Sequence, residues 1–227
     1  MKQLLDFGDI RNKVYCVHCG GSAETKDHVP SRVFLEKPYP RYLPTVPACV
    51  ACNNGSSIDE AYVAALIECA KCGATEIREL KSERIRRLLK ANPELRERLT
   101  RSMRETRDGV VIEAESERVG RVALKMARGH TAYELGEPRV DAPSFLGCVP
   151  LHSMQANHRN HFETPLPSQV VPEVGSRGMQ RMFVGGEVRP TWNVVQTGRY
   201  RFLALVGNGI LIRVVLGEYL ACEVMWD

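Results

Sequence analysis

At 227 residues the chain is long enough for one large domain or two small ones, and a hydrophobic content of 44% supplies a real core. Its net charge of +4 does not by itself argue for nucleic acid, so any such argument has to come from where the charges lie. The opening residues carry Asp6 and Asp9 where a secretion signal needs an apolar stretch, and no apolar run reaches the length of a membrane span. An exported or membrane-spanning protein is therefore not expected.

Residues 1–15 read as a short leading segment, with Lys13-Val14-Tyr15 as a strand entering the first of two C-x-x-C turns. These turns are Cys16-Val17-His18-Cys19 and Cys49-Val50-Ala51-Cys52. Two such pairs bring four thiolates to one tetrahedral ion and leave no position for water. Cys16, Cys19, Cys49 and Cys52 are thus expected to hold structural zinc, with His18 a passenger because the tetrahedron is already complete. A redox reading would need one C-x-x-C opening a helix in a βαβ context, and that context is missing. Paired thiols of this kind suit a reducing cytoplasm better than a disulfide framework.

Gly20-Gly21 makes a turn, and Glu24 to His28 reads as a strand ending in Asp27-His28. A neutral imidazole can take a proton from water near pH 7, and a carboxylate oxygen is a hard ligand for Mg²⁺ or Mn²⁺. Neighbours on a strand point to opposite faces, so both side chains reach one cleft only if the chain bends. Pro30 stops a regular continuation. Asn53, fixed beside Cys52, offers an amide oxygen as a second hard ligand. The competing reading is a solvated turn before Pro30. Phe34 to Pro47 carries four prolines and is expected as an irregular loop. Lys26, Arg32, Lys37 and Arg41 lie in or beside this region, where they would meet a phosphate backbone.

The order C-x-x-C, D-H-x-P, C-x-x-C-N resembles the HNH (ββα-metal) endonuclease superfamily, in particular the zinc-containing branch typified by phage endonuclease VII. The resemblance covers roughly the first quarter of the chain. It implies zinc on Cys16, Cys19, Cys49 and Cys52, His28 as general base, and a catalytic divalent ion on Asp27 and Asn53. Two features depart from the family pattern. No Asn stands near Arg41-Tyr42-Leu43, where the central Asn should orient the histidine, and no second helix histidine follows Asn53. The group that orients His28 is left open, with a backbone carbonyl as one candidate.

After Gly55 the signal turns helical. Ser57 and Glu60 have the spacing of a capping box, with Tyr62, Leu66 and Cys69 on the apolar face and a stop at Gly73. Asp59 and Glu60 are expected as capping charges before ligands. Cys69 and Cys72 form a third C-x-x-C without a fourth pair, and read as buried thiols. Glu76 to Arg107 is a long charged helical stretch broken at Asn92-Pro93. Its eleven bases, Arg84 and Arg87 among them, outnumber six acids, a surplus above the net charge of the whole chain. A DNA-backbone surface and a solvated face of i,i+4 ion pairs explain it equally well.

Val110 to Ala114 reads as a strand and Glu117 to Gly129 as an amphipathic helix ending at that glycine. Residues 136–180 look loop-rich, and His152 to His161 reads as a polar loop because no Cys or carboxylate stands at ligand spacing. Strands are expected at Arg181–Val184, Thr191–Gln196, Tyr200–Val206, Gly209–Leu216 and Tyr219–Trp226, with turns at Asn208-Gly209 and Gly217-Glu218.

The fold expected is α+β. It comprises an HNH module over 1–73, a basic helical segment over 74–108, and an α+β module over 109–227 with a C-terminal antiparallel sheet. The function expected is a metal-dependent endonuclease acting on DNA, with Lys26, Arg32, Arg84 and Arg87 on the nucleic acid. The alternative is a non-catalytic zinc-knuckle module that binds nucleic acid or protein. A C-terminal module that senses a ligand or pairs two copies into a homodimer is compatible with either.

Overall fold

The computed structural model describes residues 13–106, 109–165, 176–184 and 191–227. Strands β1 (Thr25–His28) and β2 (Thr45–Ala48) pair antiparallel, Thr25 against Ala48 and His28 against Thr45. The proline-rich segment between them is irregular apart from one 3₁₀ turn at Arg32–Phe34. The strand expected at Lys13–Tyr15 is only an isolated bridge from Tyr15 to Ser22. Helix α1 (Val50–Gly55) follows β2 directly, completing a β–β–α unit.

Helix α2 (Ser57–Cys72) continues from α1 through Ser56. The capping box expected at Ser57 is not formed. Ser56 occupies the cap position without a side-chain cap bond, and the hydroxyls of Ser56 and Ser57 donate back to the carbonyls of Cys52 and Asn54. Because one helix feeds the next, the amides at this junction need little capping from a side chain. Glu60 is thereby free to turn inward. Gly73 ends α2 at φ +65°, the left-handed geometry glycine adopts without a Cβ penalty. In the third C-x-x-C, Cys69 is buried and Cys72 donates to Glu68 at 3.8 Å.

Of the charged stretch expected as helix, only α3 (Glu83–Ala91) and α4 (Pro93–Ser102) are α-helical; Ile77–Glu79 is a 3₁₀ turn and Met103–Thr106 a strand. Pro93 sits at the start of α4, where its missing N–H costs nothing, and the Asn92 side chain accepts from Leu95 N at 3.0 Å. Ile85, Leu89, Leu95 and Leu99 face the core while most bases stay wet. A hairpin of β3 (Met103–Thr106) and β4 (Gly109–Ile112) leads to α5 (Ser116–His130). This helix runs through Gly129 and continues as a π-helical turn, Thr131–Leu135, to Gly136. Gly129 does not stop the helix; its role is contact, since a Cβ there would lie 2.7 Å from a Val29 methyl.

Five antiparallel strands close the fold: β5 (Phe145–Pro150), β6 (Asn193–Gln196), β7 (Tyr200–Val206), β8 (Ile210–Leu216) and β9 (Leu220–Trp226), in the order β5-β9-β8-β7-β6. One face, through Phe202, Ile212, Val214 and Val224, joins α2 and α5 in the main core, with Tyr62, Leu66, Val122 and Met126. On the other face Leu151 and Phe162 pack over Val215 and Ala221, Phe162 coming from α6 (Ala156–Glu163). The three-residue β8–β9 turn has Gly217 and Glu218 both at positive φ.

Two expectations are corrected here. Arg181–Val184 belongs to a helix, α7 (Arg177–Val184), not to a strand. Four apolar-rich residues are too few to separate period 2 from period 3.6. Residues 156–161, expected as loop, lie in α6, whose Phe162 anchors it to the sheet. No helix among the described residues is long and apolar enough to cross a membrane.

Candidate metal centre and the polar network beneath it

The four cysteines come from two turns, one before β1 and one joining β2 to α1. Their Sγ atoms all lie within 4.8 Å of one another, the one such cluster of metal-ligating side chains among the described residues. Tetrahedral zinc with Zn–S bonds of about 2.3 Å requires sulfurs about 3.8 Å apart. Cys19 and Cys49 are separated by 3.8 Å. Backbone bonds shape the first turn, with Cys16 N donating to Gly21 O at 2.6 Å and Gly20 N to Cys16 O at 2.8 Å. In the second, Cys52 N donates to Cys49 Sγ at 3.3 Å, which both caps α1 and supports a thiolate. Burial, and then the adjoining thiols, push the Cys52 thiol far up. Four crowded sulfurs of this kind ionise together only around a cation, and the set fits zinc.

β1 alternation separates the two residues of the Asp-His pair. Asp27 points inward and is buried, while His28 is half-buried at the strand end. Burial lowers the His28 pKa below 6.5 and Arg32 lowers it further, against the opposing pull of Asp27 and the Pro44 carbonyl. The imidazole is therefore neutral at pH 7. Its Nδ1 is buried. Asn53 is held against β1, its amide nitrogen donating to Thr25 Oγ1 at 3.1 Å and to Lys26 O at 3.3 Å. Neither bond uses its amide oxygen.

Asp27 has company the motif does not disclose. Its Oδ2 meets His18 Nε2 at 3.0 Å and Lys125 Nζ at 2.9 Å. Lys125 also pairs with Glu60, and Ser31 donates to the same Glu60 oxygen at 2.6 Å. Burial alone would raise the Asp27 pKa, but His18 and Lys125 together hold it below its usual value. Burial likewise opposes the Lys125 charge, and Glu60 and Asp27 reverse that. Hard oxygens for a second ion are thus present in kind, but Asp27 Oδ2 is already satisfied by two donors, one of them a cation. A divalent ion on that oxygen would have to displace one of these donors.

Of the cations expected on nucleic acid, Lys26 and Arg32 are exposed at β1 and just beyond it. Arg84 bonds the Tyr39 hydroxyl and Arg87 pairs with Glu83, both on α3. Glu60, expected as a capping charge, joins the buried network; Asp59 pairs with Arg118 and Arg121. Lys125 and the bonding role of His18 escaped the sequence reading. One signal was there: Lys125 falls three residues after Val122 and four before Gly129, on the inward face of α5, where a charge needs a partner. Comparison with protein-family models, with characterised proteins and with solved structures gives no match, so the functional assignment rests on residues and geometry.

Proposed function

We propose that the protein is an endonuclease of the HNH type that hydrolyses phosphodiester bonds in DNA. What supports this reading most is the β1–β2–α1 unit closed by four cysteines, with a neutral His28 at its rim and Asn53 locked to the same strand. His28 takes the proton from the attacking water through Nε2, and exposed Lys26 and Arg32 receive the phosphate backbone. A hard divalent ion, when bound, would stabilise charge on the phosphate. Asp27 and Asn53 supply oxygens for it only if Asp27 exchanges its contact with Lys125.

The test is cleavage of supercoiled plasmid with Mg²⁺, Mn²⁺ or EDTA by wild type and His28→Ala, with zinc measured on both. Loss of a general base should slow cutting by about 10²–10⁴-fold with zinc content unchanged. Equal cutting by the two proteins would sink the assignment.

The occupied Asp27 carboxylate favours a second reading, a non-catalytic zinc module that binds nucleic acid or protein. It predicts retardation of DNA or RNA without cleavage, indifferent to His28→Ala.

A further inference from the structure

Lys125 reaches the β–β–α unit from α5, 65 residues beyond Glu60. Its ammonium stands between two carboxylates, Asp27 at 2.9 Å and Glu60, and its side chain is only 7% exposed, the same as that of Asp27. Each carboxylate has a further neutral or ionisable donor holding it in place, His18 on Asp27 and Ser31 on Glu60. A buried charge persists only where it is paired and hydrogen-bonded, and here one cation serves two anions.

The surrounding packing fixes Lys125. One turn further along α5, Arg128 donates to the carbonyls of His18 and Val140, both at 2.7 Å. Gly129 abuts Val29, the residue after His28. These contacts hold the stretch of α5 that carries Lys125 against the β–β–α unit.

We propose that Lys125 is a resident cation standing in place of a second metal ion at Asp27, so that the zinc-loaded protein binds a hard divalent ion there only by displacing it. The choice of Asp27 as the contested ligand rests on the HNH reading. Two consequences follow from charge alone. A divalent ion at Asp27 is repelled by the ammonium that shares its oxygen, and neutralising Lys125 without shortening it leaves two carboxylates seeking a cation.

The experiment is Mn²⁺ binding to the zinc-loaded full-length protein without nucleic acid, read from the electron paramagnetic resonance signal of free Mn²⁺ near pH 7. Lys125→Met should bind Mn²⁺ at least about ten-fold more tightly than wild type, the scale on which one nearby charge alters the occupancy of a carboxylate. Asp27→Asn in the Lys125→Met background should remove the gain. Should Lys125→Met fail to fold with both carboxylates uncompensated, Lys125→Met with Glu60→Gln retains Asp27 alone against His18, and the same gain is expected. Equal Mn²⁺ affinity in wild type and the folded Lys125 variant would overturn the proposal, as would a gain that survives Asp27→Asn. Cleavage is not read, so failure here leaves the His28 test of the nuclease reading untouched.

Discussion

The two ends of the molecule hold together by different means. Around β1 the buried apolar cluster is small, Val17, Val29, Val46 and Tyr133, and four thiols and a charged network supply the rest. The C-terminal sheet contributes Tyr200, Phe202, Ile212, Val214, Leu216, Cys222, Val224 and Trp226 to one continuous core shared with α2 and α5. A short segment rich in proline and glycine cannot bury enough carbon to stay folded, and metal and ion pairs take over where carbon runs out. Those substitutes fix geometry sharply, but each fails all at once when one partner is removed.

Removing zinc should separate the two regions most widely. Structural zinc in small modules is worth on the order of 10 kcal/mol, comparable to the whole stability of a domain. Cys52→Ser should therefore lose the metal and the protection of β1 and β2 in amide exchange, while β7 to β9 stay protected. Loss of protection throughout the sheet would show that the two regions fold as one.

Next in size come deletions inside each region. Asp27→Ala leaves Lys125 paired with Glu60 but takes the acceptor from His18, and a buried donor stranded in this way costs about 1–3 kcal/mol. Ile212→Ala in the fully buried centre of β8 should cost about 2–5 kcal/mol through the cavity it leaves. Denaturant unfolding compares the two directly.

A smaller effect lies where the regions meet, at the π-helical turn after α5. His130 is stacked on Phe202 at 3.9 Å and bonded to the Tyr200 hydroxyl at 2.7 Å; burial, then Arg181, push its pKa down to about 3. Burial raises Glu134 to about 7 despite its pairing with Arg181 and the nearby Arg177. The depressed histidine contributes stability above pH 6.5 that is lost as pH falls towards 3. The raised carboxyl contributes stability below pH 4.5 that is lost as pH rises through 7. Their slopes oppose between pH 4.5 and 6.5. Glu134→Gln leaves the histidine unopposed, and stability should then rise with pH across that window by up to about 1.4 kcal/mol per unit. Urea midpoints for both proteins at the two ends of the window decide it.

The smallest effect belongs to the exposed face of α3. Arg87 pairs with Glu83 across one helical turn in full solvent, and Arg87→Ala should leave the thermal midpoint unchanged while any DNA retention by the protein becomes less salt-dependent. An unchanged salt slope would place the nucleic-acid surface elsewhere.

These contrasts also explain what the sequence could show. The cysteine tetrad was legible because ligand spacing is a local rule, and β7 to β9 were legible because short apolar runs stand between turn residues at Asn208-Gly209 and Gly217-Glu218. Asn92-Pro93 marked its helix junction for the same local reason. Residues 177–184 were misread because a short apolar run lacks a period, and Gly129 because a glycine that admits a neighbour looks like one that ends a helix. Lys125 and Glu134 were missed because their meaning lies in partners far along the chain. No motif records that α5 turns its one buried ammonium towards β1.

Arg128 carries a further consequence. Its guanidinium grips the carbonyl of His18, inside the first cysteine turn, together with those of Val140 and Asp141, in the segment leading to edge strand β5. The first cysteine turn is thereby tied to the segment that leads into the sheet edge. Amides of β5 should exchange faster when zinc is stripped, turning the sheet edge into a gauge of how full the cysteine site is.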